Sequence, residues 1–438
     1  MNIRLIFRAL RYRNYRLFFS GQVISLTGTW MQQIAMSWLV YRLTNSALLL
    51  GLVGFLGQIP SFFLTPFAGV IADRHNRQRI LLITQFLAML QALVLSVLVL
   101  TKSVQVWQII ILSMVLGLVN SFDLPVRQAF TIEMIENKED LGNAIALNSS
   151  MVNIARLIGP SLAGVIIATF GEGPCFLINA LSYIAVIISL LMMKITQKKV
   201  REAHQHVLHE LREGFRYAFN SVPIKHILIL LSLVSLTGVP YQVLMPVFAK
   251  DIFHGGPKTL GFLMAMAGAG ALMGAIYLAA RKSVVGLGRI IALSALFFGI
   301  GVSIFSFSKD LWFSLFMICF AGFSMMVQMA ASNTILQTIV EEDKRGRIMS
   351  FYTMSFMGMT PFGSLLAGSL ASKIGAPHTL FLGGVCCIIG ALLFFRKLPL
   401  IREKIRPIYI QKGIIPEVVK GIGAASGLGF YRKSNNLS

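Results

Sequence analysis

The sequence predicts an all-α polytopic membrane protein: twelve transmembrane helices in two pseudo-symmetric six-helix bundles. Three observations carry that prediction. Of the 438 residues, 56% are hydrophobic and only 13% charged, and the mean hydropathy is +0.74, a balance that excludes an ordinary soluble domain. The apolar residues gather in stretches near the ~20 needed to cross hydrocarbon. Twelve are read, at 17–40, 47–70, 80–100, 105–122, 143–168, 174–193, 226–249, 258–280, 288–307, 311–333, 348–371 and 377–395. Finally, the second half repeats the first. Gly142 and Gly346, Gly159 and Gly363, Gly164 and Gly368, and Gly171 and Gly375 all stand 204 residues apart. One such match is chance in Gly/Ala-rich helices; several in register imply a duplicated unit with a cavity between its copies.

Charge sets the orientation. With both termini cytoplasmic, all but seven of the 39 Lys and Arg fall inside. Arg42, Lys102, Lys250, Lys258, Lys309 and Lys373 fall outside, and Arg156 lies within a span. This is the positive-inside pattern. The net charge of +22 therefore faces anionic headgroups of the bilayer, not nucleic acid. The expected divisions are an N-terminal bundle (1–194), a cytoplasmic central loop (195–225), a C-terminal bundle (226–396) and a cytoplasmic tail (397–438).

Span one follows a basic start (Arg4, Arg8, Arg11, Arg13, Arg16) and is too long for a cleaved signal segment. Gln22, Ser25 and Thr29, with Gln32 and Gln33 a turn further on, form a polar stripe on it. Such groups avoid lipid, so interhelical bonding and substrate contact are both open. Span two holds Gln58 between small and apolar residues, with Pro60 and Pro66 expected to kink it. Then comes a charged hairpin, Gly69-Val-Ile-Ala-Asp73-Arg74-His-Asn-Arg77-Gln-Arg79. Read alone, it is a topology-fixing loop; a second reading makes it a hinge whose Asp73, Arg74 and Arg77 exchange partners.

Span four ends in Asn120-Ser-Phe-Asp123-Leu-Pro125-Val-Arg127. Pro125 is expected to break or bend it, leaving Asp123 and Arg127 at the cytoplasmic mouth in one layer with Arg77. Span five carries Ser149, Asn153 and Arg156 on one stripe, followed by Gly159, Pro160 and Gly164. A central arginine costs about 2.5–3.5 kcal/mol on insertion scales, so Arg156 is expected to face a water-filled cavity, with satisfaction by buried carbonyls as the alternative. Between the halves, Ala203, Val207, Leu211, Phe215 and Ala218 recur at helical spacing, an amphipathic helix for the membrane surface. His204, His206 and His209 lack a completing ligand, and the four cysteines lack metal-ligand spacing, so no metal is expected. In the second half, Tyr241, Gln242, Gln328, Asn333 and Tyr352 are the polar cavity candidates, and Gly363 and Gly368 repeat the packing glycines of span five.

The order Gly69-x-x-x-Asp73-Arg74-x-x-Arg77-x-Arg79 between the second and third spans resembles the loop 2–3 signature of the major facilitator superfamily, with Asn76 where a second glycine is usual. The resemblance implies that the loop arginine pairs with an acidic group at the end of span four, for which Asp123 is the matching position. Gly159-Pro160-Ser-Leu-Ala-Gly164 resembles the span-five Gly-Pro motif of the drug antiporters, with Ala155 and Ala163 replacing two glycines. With Asp123-x-Pro-x-Arg-Gln-Ala and Asn143-Ala-Ile-Ala-Leu-Asn-Ser, the chain resembles the enterobactin-exporter and macrolide-efflux branch. That likeness implies a monomeric secondary transporter of a bacterial inner membrane. It would export a hydrophobic or amphipathic small molecule by alternating access, with the proton gradient as energy source and no cofactor. The alternative is a facilitator or importer of a lipid-like or metabolite substrate. The sequence has no Gly-x-x-x-x-Gly-Lys-Ser/Thr loop for ATP. It also has no His/Asp cluster or Ser/His pair at one membrane face, as an integral-membrane enzyme would need.

Overall fold

The computed structural model describes residues 7–194, 207–281, 283–342 and 344–415. They form helices and no strand: α1 (Arg13–Thr44), α2 (Ala47–Arg74), α3 (Arg77–Leu100), α4 (Val106–Glu133), α5 (Leu141–Phe170), α6 (Gly173–Leu191), α7 (Val207–Asn220), α8 (Val222–Thr237), α9 (Tyr241–Val247), α10 (Pro257–Ala279), α11 (Leu287–Phe307), α12 (Leu311–Ile339), α13 (Arg345–Thr353), α14 (Met359–Ile374) and α15 (Ala376–Gln411). Ten helical stretches among the described residues are long and apolar enough to cross a membrane. The two other expected spans are helical but less apolar. In α1 the glutamine, serine and threonine stripe lowers the hydropathy of a 32-residue helix. Span eleven runs through a π turn at Met354–Gly358 into α14, and its serines, threonines, glycines and proline do the same.

Four expectations change. Pro125 does not end span four; α4 runs through it to Glu133. Proline removes one backbone bond, but Val126 and Phe130 are buried beyond it, Phe130 edge-on to Phe18 of α1, and that packing holds the last turns. Span seven is interrupted at Gly238–Pro240 and closes with a π turn at Phe248–Ile252. The last span does not stop near 395. α15 continues to Gln411 with Ile401, Ile405 and Tyr409 buried, and the Lys412 ammonium donates to the Thr338 carbonyl at 2.7 Å. The central amphipathic helix is present as α7, but it docks on the second half: Glu213 meets Arg347 of α13 at 2.8 Å, and Phe215 packs edge-on to Phe351. His204 and His206 lie outside the described residues, as does the side chain of His209.

The repeat seen in the sequence is a repeat of position. Gly171 and Gly375 both cap a helix C-terminus with positive φ, 81° and 84°, where a side chain is strained. Gly159 lies against the Thr27 carbonyl and Trp30 of α1; Gly363 lies against the Leu236 carbonyl and Pro240 of span seven. Gly164 faces Pro257 and Gly261 of α10, and Gly368 faces Ala47 and Gly51 of α2. The two halves therefore meet along α5 with α10 and α2 with α14, at the ends remote from the start of α1, called here the far side. The Tyr41 hydroxyl donates to Asp251, and Lys250 donates to Asn45 at 2.5 Å, both joining the halves on that side.

Gly164→Leu is expected to pry α5 from α10, because even a Cβ there would lie 2.9 Å from the Pro257 carbonyl oxygen. Overpacking of this kind costs about 1–3 kcal/mol. A Cβ at Gly142, by contrast, meets nothing within 4 Å, so Gly142→Leu should leave stability unchanged or higher. Thermal unfolding of the purified variants in detergent checks this, and equal midpoints would sink it.

Candidate functional site

The hairpin between α2 and α3 owes its turn to capping. His75 ends α2, and the Asn76 side chain accepts from the Arg79 N–H at 3.1 Å as the N-cap of α3. Such a cap is worth about 1 kcal/mol, which accounts for asparagine where the signature has glycine. Gly69 falls in the last turns of α2, and the side chains of Asp73 and Arg74 lie outside the described residues. Arg77 reaches α4, but its described carboxylate there is Glu133, at 2.7 Å. Asp123 is not that partner. Because α4 continues past Pro125, Asp123 lies ten residues inside the helix end, about 15 Å along the axis.

Asp123 instead centres a buried network, its side chain 2% exposed. Its Oδ1 accepts from Thr84 Oγ1 at 2.8 Å and Gln85 Nε2 at 2.6 Å, and its Oδ2 from Arg127 one turn on. Arg127 also donates to Gln22 Oε1 at 3.2 Å, so α1, α3 and α4 converge on one carboxylate. A buried ion pair persists only when its remaining lone pairs and protons are satisfied, and Thr84, Gln85 and Gln22 do this in large part. Deeper in the same half, Asn179 of α6 donates to Gln32 at 2.7 Å and Gln32 to Gln91 at 2.9 Å. The span-one stripe is thus divided. Gln22, Ser25 and Gln32 are buried between helices, Thr29 is half-buried and Gln33 is exposed.

Arg156 lies on the seam between the halves. From the far ends, α5 and α10 are in contact at Gly164 and again at the Arg156 carbonyl, which a Cβ on Gly268 would approach to 2.8 Å. On the other seam, α2 and α14 stay in contact to Phe62, which lies against Gly358 and edge-on to Phe362 at 5.5 Å. The Arg156 guanidinium is half-buried and sits 5.6 Å above the Trp30 ring. Among the described residues no carboxylate pairs with it. Ser149 is exposed, while Asn153 is buried and donates to the Ser149 carbonyl at 2.9 Å.

The second half contributes less than its sequence promised. Tyr241 is fully buried against Phe298, Tyr352 is buried with its hydroxyl on the Met329 carbonyl at 3.1 Å, and Gln328 is buried within α12. Gln242 and Asn333 are half-buried, and Gln58 on α2 is exposed. Reasoning on spans alone could not separate these, because polarity marks a residue that avoids lipid without saying which neighbour takes it. It also missed Glu133, Gln85 and the far-side group of Tyr41, Asn45, Lys250 and Asp251. Among the described residues no cluster of metal-ligating side chains occurs.

The model of one protein family, the transmembrane secretion effectors, matches residues 6–411. The chain is 29% identical to a staphyloferrin A transporter of Staphylococcus aureus, the match covering 89% of this chain and 98% of that one. It is 23% identical to macrolide efflux protein A of Streptococcus pyogenes, over 87% and 96% of the two chains. To the multidrug efflux pump Tap of Mycolicibacterium fortuitum it is 25% identical, over 84% and 92%. Among solved structures it is similar to the nucleoside transporter NupG (TM-score 0.70, 11% identity, 88% of this chain and 99% of that one). It is also similar to a bacterial homolog of the lysosomal transporter Spinster (TM-score 0.70, 13% identity, 91% and 98%). The hairpin between α2 and α3, the duplicated glycines and the match over nearly all of its length agree: the chain belongs to the transmembrane secretion effectors of the major facilitator superfamily, and is a multi-pass membrane transporter, not an enzyme.

Proposed function

We propose that the protein exports a hydrophobic or amphipathic small molecule with an acidic group, of the drug or siderophore kind, by alternating access driven by the proton gradient. The carrying observation is Arg156: a guanidinium on the helix seam between the halves, above an indole ring and without a described carboxylate partner. A cation so placed is costly in the membrane interior, and a ligand with an oxyanion beside a flat apolar surface answers both its charge and its ring. The names of the relatives support the substrate class, two of them being exporters of macrolides or drugs and one a siderophore transporter.

The halves are joined on the far side by glycine packing and by the Tyr41–Asp251 and Lys250–Asn45 bonds. On the near side, the described ion pairs tie helices within one half: Arg77 to Glu133 in the first and Arg347 to Glu213 in the second. With the basic near side in the cytoplasm, this pattern supports an inward-facing state of a rocking transporter. Arg77, just after Asp73 and Arg74 in sequence, and Glu133 form the hinge layer in this reading, with Asp123 and Arg127 deeper in the same bundle.

Arg156→Ala is expected to reduce transport roughly 10- to 100-fold, the worth of a hydrogen bond to a charged group, with Arg156→Lys intermediate. Uptake of a labelled macrolide or siderophore into inside-out vesicles, with and without a proton uncoupler, measures this. Thermal unfolding of the same variants separates it from a structural role: a destabilised Ala variant favours buried carbonyl partners, and a stable, fully active one defeats the proposal. For the hinge, Glu133→Gln should resemble Arg77→Ala and lower transport by about fivefold or more at normal membrane expression. Full activity of both would leave only a topology loop. For orientation, a cysteine in the 192–221 connection should react only with cytoplasmic reagent and one beside Lys309 only from outside. The reverse pattern would overturn the assignment.

A further inference from the structure

Gln85 has an acceptor atom it does not use. Its Nε2 donates to Asp123 at 2.6 Å, yet its Oε1 is buried with no partner. The Arg127 Nε is likewise buried and unpartnered, although its Nη atoms reach Asp123 and Gln22. A stranded buried acceptor is costly, and an ionised carboxylate has no donor to offer it. The same atoms suit a carboxylic acid. An ionised carboxylate is acceptor-only, and can take just one end of a primary amide. A protonated one pairs with both ends: its carbonyl oxygen keeps the Nε2–H, and its new O–H donates to Oε1.

We propose that Asp123 carries the driving proton, and that Gln85 is the positioning residue that holds it in both protonation states. This rests on the proton-driven reading above. In the step, a proton adds to Asp123 Oδ2 and the Arg127 contact to that oxygen breaks. The new O–H donates to Gln85 Oε1, and Arg127 keeps its bond to Gln22 Oε1, now as an uncompensated cation. Loss of the proton restores the ion pair. Arg127 is placed to change hands, since its side chain is 24% exposed where Asp123 is 2% exposed. Among the described residues the surroundings add no competing acid: α3 offers Thr84 and Gln85, α1 offers Gln22, and α2 offers Ser61, which bonds to Ser121. Beyond Arg127 on its own helix, the titratable neighbour described is Tyr183 of α6, which faces Arg127.

Infrared difference spectroscopy of the full chain in lipid nanodiscs, with pH stepped downward, reads the carboxylic-acid carbonyl stretch directly and needs no substrate. The wild type should gain a band that Asp123→Asn lacks. In Gln85→Leu the midpoint of that band should fall by roughly one pH unit, a tenfold loss of proton affinity, because the acid form loses two partners and the carboxylate one. A midpoint that rises instead makes Gln85 a simple donor to the carboxylate and overturns its role. If no Asp123 band forms before the protein unfolds, the pair is a permanent structural ion pair and the proposal fails. Vesicle uptake of a labelled macrolide keeps this failure distinct. Uncoupler-sensitive uptake without an Asp123 band refutes this proposal alone. Uptake indifferent to the uncoupler, with the band titrating, refutes proton drive and with it the role given to Asp123.

Discussion

Backbone meets backbone where the halves of this protein join. Gly164 against Gly261 and Gly51 against Gly368 bring helices of opposite halves close enough that a single added carbon would lie 2.5–2.9 Å from a carbonyl oxygen or Cα across the seam. In hydrocarbon there is no hydrophobic effect to press helices together, so dispersion and close approach must supply the attraction. Small residues concentrated toward one end of a helix pair confine that attraction to one end. The other ends carry the Arg77–Glu133 and Arg347–Glu213 pairs, each within one half.

The same constraint explains where polar side chains went. A helix that must keep amides from lipid can turn them to another helix or to a space between bundles, and α1 does both. Gln22 and Gln32 are buried against Arg127 and Gln91, while Gln33, one residue further, is exposed. A cost paid in the membrane interior selects for satisfaction, not for any one partner.

Much of the fold was legible in the sequence because hydropathy and glycine spacing are local signals. Span positions, the 204-residue repeat and the charged hairpin all correspond to described elements. The partner of Arg77 was not legible. Proline at 125 reads locally as a helix end, and only the burial of Val126 and Phe130 against another helix keeps α4 going to Glu133. The continuation of α15 through Pro399 and Pro407 has the same origin, since its buried Ile401 and Ile405 pack where no local pattern asks for a helix. Arg156 was legible as an anomaly of cost. Its place above Trp30 and beside Gly268 was not, because that depends on which distant helices pack against α5.

Duplication made the halves alike in backbone, and the buried polar residues show how they diverged. Among the described residues, the first half buries Asp123 together with Gln22, Gln32, Gln85, Gln91, Asn153 and Asn179. The second buries Gln328 and otherwise serines and a threonine, of which Ser306, Ser332, Ser364 and Thr379 bond back to a carbonyl one turn earlier while Ser235 reaches the Phe356 carbonyl. Hydroxyls that bond back within a helix ask nothing of its neighbours, whereas amides and an ion pair shared among three helices tie those helices together. The halves thus differ in kind: α7 docks on one, and Asp123 joins α1, α3 and α4 in the other. The aspartate of the first hairpin, Asp73, has no counterpart after Ala279-Ala280, where Arg281 follows directly, and this is the same divergence written in the loops.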